Sequence, residues 1–136
     1  MKTGPGSASW LDVYSDSGDV TTGFTYASGW SQGAYCFARK WGPMVEVCAE
    51  LIYNGDSDIT DNASPGNISP DSTIVTVPAQ FASEVGSRYR TFIWTSSTSA
   101  GSGMLYGSGN CVMRDIHPGG YIKTGDWVRF SITFLN

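Results

Sequence analysis

The chain has 136 residues, of which 40% are hydrophobic, 13% aromatic and only 15% charged, with a net charge of −4. That length and apolar content suit one domain with a real core and exclude a disordered segment. The acidic balance, without a basic cluster, argues against a nucleic-acid partner, and no apolar run approaches the roughly 18 residues of a membrane-spanning helix.

Residues 1–19 are rich in Gly, Ser and Asp around Trp10-Leu11-Asp12-Val13-Tyr14, a short strand or an arm suited to docking. No apolar stretch follows Lys2, so a signal peptide is not expected. Residues 20–136 read as the folded domain. Residues 20–24 are a candidate strand, and Gly29-Trp30 leads into a hairpin that turns at Lys40-Trp41-Gly42-Pro43. If residues 34–39 and 45–50 pair about Gly42, Cys36 faces Cys48, and Phe37 faces Val47 on an apolar, core-directed side. That register permits a Cys36–Cys48 disulfide, although synthesis in a reducing cytoplasm favours small buried thiols.

Residues 44–53 form a long strand with Val45, Val47, Ala49 and Leu51 on one face. Residues 54–72 carry Asn-Gly, Ser-Pro-Gly and Ser-Pro breakers and read as a long surface loop. Residues 74–77 form a strand closed by Pro78. Short strands are expected at 91–95, 104–107, 110–114 and 121–123, with His117-Pro118-Gly119-Gly120 as a turn and a last hairpin turning at Thr124-Gly125. The final run, 127–135, alternates strictly: Val128, Phe130, Ile132 and Phe134 are core, and Trp127, Arg129, Ser131 and Thr133 lie opposite. No segment has a helical period. The expected fold is all-β, a single antiparallel sandwich of jelly-roll type with about eight to ten short strands.

Catalytic chemistry is thinly represented. The three cysteines (Cys36, Cys48, Cys111) are an odd count without C-x-x-C spacing, and His117 is the only imidazole. An ordinary zinc site is therefore excluded, and neither a metal nor another cofactor is expected. Any Ser-His-Asp triad would have to use His117, whose turn beside Asp115 reads as solvated. A carboxylate pair would have to come from Glu46, Glu50 and Glu84, and Glu46 and Glu50 share the water-facing side of one strand. The loop from Asp56 to Asp61 resembles a cation-binding loop in composition but lacks the central glycine and spaced glutamate of an EF-hand. Asn62-Ala63-Ser64 and Asn67-Ile68-Ser69 match the glycosylation pattern, which means little without secretion. The aromatic residues carry more information. Trp127 lies on the side of its strand away from the apolar set, which marks it for contact with another subunit.

The stretch Gly29-Trp30, Tyr35, Arg39-Lys40-Trp41-Gly42, Val45-Glu46-Val47 and Leu51 resembles the start of the distal β-sandwich domain of tailed-bacteriophage tail fibres and receptor-binding proteins. Thr76-Val77-Pro78-Ala79-Gln80-Phe81, Gly119-Gly120-Tyr121-Ile122 and Gly125-Asp126-Trp127-Val128-Arg129-Phe130 follow in that family's order, so the similarity spans residues 29–136. The resemblance implies a jelly-roll-like sandwich, commonly a homotrimer; with catalytic chemistry so thin, no enzymatic activity is expected. It implies a virion protein assembled in the host cytoplasm alongside other capsid or tail proteins. With no coiled-coil or triple-helical shaft, the expected role is a capsid decoration or tail-tip subunit; the alternative is a receptor-binding module for host-surface glycans. Trp127, Arg129 and Trp41 are the expected subunit contacts.

Overall fold

The computed structural model describes residues 15–62 and 64–136. Most of the expected arm, including residues 10–14, therefore lies outside the described residues. Ten strands and one helix follow in the order β1 (Thr25–Tyr26), β2 (Trp30–Trp41), β3 (Met44–Tyr53), β4 (Ile59–Thr60), β5 (Asn67–Thr76), α1 (Ala79–Val85), β6 (Arg90–Ser96), β7 (Ala100–Leu105), β8 (Asn110–Asp115), β9 (Tyr121–Ile122) and β10 (Trp127–Leu135). Among the described residues the fold is all-β apart from that one helix. Eight strands form one antiparallel sheet in the order β1-β5-β8-β7-β6-β10-β3-β2, and β4 and β9 form a second, two-stranded sheet. Together they pack in a sandwich-like or barrel-like arrangement.

Strand β10 lies inside the large sheet. It pairs with β3 along its whole length, from Trp127 opposite Ile52 to Leu135 opposite Met44, and with β6 on its other edge. Its alternation is realised as expected: Val128, Phe130, Ile132 and Phe134 are all buried, as is Val47 on β3. No hairpin joins β9 to β10, because β9 pairs with β4 instead, Ile59 opposite Ile122. The turn between them nevertheless closes where expected, with the Asp126 amide donating to the Lys123 carbonyl at 3.0 Å.

The β2–β3 hairpin corrects the expected register by one residue. Trp41 faces Met44, Ala38 faces Val47, Phe37 faces Cys48, and Cys36 faces Ala49. The loop is just Gly42-Pro43, with Gly42 at φ +56°, where a residue with a side chain would be strained. A one-residue slip exchanges the two faces of a strand. Phe37 is therefore not a core residue; it is half-buried on the outer face, and Cys36 takes the interior. Cys36 and Cys48 lie on opposite faces, and both are free thiols, as is Cys111.

Two further corrections concern residues 54–85. The expected loop holds β4 and the first half of β5. The polar, exposed side chains of residues 69–71 give no alternation, and Pro70 falls where the β5–β8 pairing is irregular, as a residue without an amide hydrogen must. Helix α1 was not expected. Phe81, Ala82 and Val85 form its buried side, but seven residues are fewer than two turns, too few to show a period. The Phe81 and Ala82 amides donate to the Pro78 carbonyl, and Gly86 ends the helix at φ 67°.

The large sheet closes through the N-terminal segment. The Val20 and Ala38 backbones exchange hydrogen bonds of 2.8 and 3.0 Å, and the Ser17 amide donates to Lys40, all on the free edge of β2. Six residues later β1 pairs with β5, Tyr26 opposite Val75, at the other edge of the sheet. Residues 15–19, expected as part of a docking arm, thus run along β2. In place of the strand expected at 20–24 there is the isolated Val20–Ala38 bridge, and the two-residue β1 begins only at Thr25.

Large rings inside the sheet require small residues opposite. Trp94 is fully buried, faces Gly101, and donates its indole N–H to the Ser102 and Asp115 carbonyls at 3.2 and 3.1 Å, so the buried donor is satisfied. Phe92 faces Gly103 and stacks on Phe130, with ring centroids 4.4 Å apart. A Cβ on Gly101 would collide with the Asp115 backbone carbonyl and with the Trp94 ring. Gly101→Ala is therefore expected to cost about 1–3 kcal/mol, read as a lower urea midpoint at unchanged slope; an unchanged midpoint would contradict this close approach.

Candidate functional site

Because even-numbered residues of β10 and odd-numbered residues of β3 point inward, the opposite set forms a continuous outer face across β6, β10, β3 and β2. The registers arrange it in levels. Trp127 lies beside Ile52, Arg129 beside Glu50 and Thr95, Ser131 beside Cys48 and Phe37, Thr133 beside Glu46 and Arg39, and Leu135 beside Met44 and Trp41. Ile93, two residues before Thr95 on the same side, is 64% exposed, and Leu135 is 60% exposed. Tyr35, Phe37, Cys48, Ile93, Arg129 and Ser131 surround an open depression of about 510 Å³ at the centre of this face.

One end of the face is held by charge. In β2 the pairing with β3 shifts between Gln32 and Cys36, so residues 33–35 bulge against Glu50. A bulge leaves backbone groups off the ladder. The Glu50 carboxylate takes one of them, accepting the Ala34 amide at 2.9 Å through Oε1, while Oε2 accepts from Arg129 Nε at 2.5 Å. Gly33 makes this approach feasible, since a Cβ there would lie 2.9 Å from the Glu50 carbonyl and from Oε1. The Arg129 guanidinium, and then the Ala34 amide, hold the Glu50 carboxyl below its ordinary value. Arg129 also lies over the Trp127 ring at 4.1 Å. Trp127, Arg129, Glu50 and the bulge thus form one connected stack.

The expected contact residues share this face but not one spot. Trp127 and Arg129 touch each other, whereas Trp41 sits at the Leu135 end, about 27 Å along the strands. There Arg39 covers the Trp41 ring at 5.0 Å and pairs with Asp16 at 2.5 Å. Sequence reasoning missed Tyr35, Ile93 and Leu135. The signal for Ile93 was present in Thr91-Phe92-Ile93-Trp94-Thr95, whose centre is apolar on both sides of the strand. Cys48 lies mid-face, but burial pushes its thiol up to about 11, so at neutral pH it is not a thiolate nucleophile.

The other candidate groups fall elsewhere. His117 is exposed in its turn, with Nδ1 3.0 Å from the Pro118 carbonyl, while the Asp115 carboxylate accepts the Ser102 hydroxyl at 2.5 Å. Asp61 accepts the amides of Gly66 and Gly119 at 3.1 Å each, so this acidic loop residue ties two other loops together. Those two amides hold its carboxyl below the ordinary range. Glu84 pairs with Lys40 at 3.2 Å, away from Glu46 and Glu50. The Asn62 side chain is engaged with the Ser69 backbone in both directions, at 2.6 and 2.8 Å. Among the described residues, no group of three His, Cys, Asp or Glu is placed to hold a metal ion.

Glu50 makes stability depend on acid in a definite direction. Its folded carboxyl titrates below the ordinary 4.5, so its contribution is fully present above that value and is lost as pH falls through the lowered folded value. The stability gap between the native chain and Glu50→Gln is expected to be constant near neutral pH and to shrink below about pH 4.5. Denaturant titrations across that range check it, and a gap that widens in acid would refute the assignment.

No protein-family model, curated protein or solved structure matches this chain.

Proposed function

We propose that this chain is a non-enzymatic structural subunit on the surface of a tailed-phage virion, where it associates with copies of itself as a capsid decoration or tail-tip subunit. The observation that carries the reading is the outer face of β6, β10, β3 and β2. Its strands already bury a complete apolar set on the inside, yet they display Ile93, Leu135, Tyr35 and Trp127 on the outside. Exposed aromatic and aliphatic side chains clustered on one face, with Arg beside them, have the composition of an interface core. The order of the motifs from Gly29-Trp30 to Gly125-Asp126-Trp127 supplies the phage context by resemblance.

A second reading, attachment to host-surface glycans, is favoured by a polar groove of about 510 Å³ between β4 and β5, lined by Asp58, Thr60, Asn62, Asp71 and Ser72. Its carboxylates, amide and hydroxyls are the kinds of group that hydrogen-bond to sugar hydroxyls.

Quantitative mass spectrometry on purified virions, with antibody labelling of intact particles, separates these roles. The structural reading expects the chain on the particle at a fixed copy number and no retention on a glycan array. Absence from purified particles would sink it, and array binding by a monomer would favour attachment.

A further inference from the structure

Building on that self-association, we infer that a second copy of this chain docks on the outer face about a two-fold axis running along the groove between β3 and β10. A half-turn about an axis parallel to the strands keeps each residue at its own level and exchanges left for right. Strand β3 then meets the partner's β10, and β2 meets the partner's β6.

The levels match one after another. Ile52 meets the partner's Trp127, and Met44 meets the partner's Leu135, so both ends of the face are apolar against apolar. Glu50 meets the partner's Arg129 and Arg129 meets the partner's Glu50, closing a ring of four alternating charges around the two internal pairs. At the centre, the protruding Ile93 reaches the partner's Phe37 beside the open depression. The other in-plane two-fold, with its axis across the strands, sets Glu46 against the partner's Glu50 and apposes like charges. An isologous contact needs a self-complementary patch, and the axis along the strands is the one that provides it.

Aligned packing of two sheets about 10 Å apart also suits this arrangement. Nine levels of β2, β3 and β10 and the seven residues of β6, with strands about 4.8 Å apart, project to roughly 500 Å² per copy. With side-chain relief, that reaches the small end of specific interfaces, about 1,200 Å² in total. The dimer should therefore dissociate on dilution.

Two complementary variants test the inference. Ile93→Glu and Phe37→Lys each place a charge against an apolar partner, and each is expected to weaken dimerisation on the order of 30-fold or more. Mixed in equal amounts, the two variants should recover a heterodimer, because the introduced carboxylate at 93 faces the introduced ammonium at 37 while the other contact stays native. Native mass spectrometry and sedimentation read the outcome, with circular dichroism confirming the fold; Tyr35→Lys replaces Phe37→Lys if the latter unfolds. A trimer in the unsubstituted protein overturns the two-fold axis and leaves self-association standing. A monomer at the highest soluble concentration overturns both. A dimer undisturbed by either folded variant overturns the choice of face.

Discussion

Gly42 and Pro43 close the loop between β2 and β3 in two residues, and that count decides what the sheet encloses and what it displays. It puts Ala38 and Cys36 inside. It puts Phe37, Arg39 and Trp41 outside. A loop one residue longer would reverse every side chain of β2. The same register brings the bulge at residues 33–35 over Glu50, which sits at 8% exposure with one carboxylate oxygen taken by the Ala34 amide and the other by Arg129. The faces of β2 and the position of the bulge over Glu50 follow from that one turn.

The closing of the sheet depends on pieces far apart in sequence. Strand β10, the last element, lies between β3 and β6, so the sheet stays divided until the end of the chain arrives. Segment 15–26 then runs from the free edge of β2 to the edge of β5. A long unpaired edge invites pairing with other chains, and this strap covers part of the β2 edge. Non-local pairing of this kind folds slowly relative to local structure.

The legible parts of the fold were those with strong, local patterns. The alternation of residues 127–135 named the inward and outward sets of β10 correctly, because a strand of nine residues with one apolar face admits one reading. The hairpin at Gly42 was legible as a hairpin but not in register, since register depends on whether two or three residues make the turn. Helix α1 spans under two turns and β4 two residues, too short for any periodicity to register, whereas β9 falls within the strand expected at 121–123. Ile93 was hidden for another reason: in a run apolar on both sides, sequence cannot say which side is covered. Trp127 and Arg129 were legible as an outward pair, whereas the partnership of Arg129 with Glu50 is set by the β3–β10 register, a long-range fact.

The Gly42-Pro43 loop has one more consequence. The Gly42 amide donates to the Ser15 carbonyl at 2.8 Å, and the Asn136 amide donates to the Pro43 carbonyl at 3.0 Å. The first and last described residues therefore meet at one pole of the fold, on either side of the same two residues. Topologically, residues 15–136 are almost a ring. A short peptide from Asn136 back to Ser15 would close it, and a cut in an exposed connection such as the one between β6 and β7 would reopen it with every strand pairing kept. Circular permutation of residues 15–136 is thus built into the architecture.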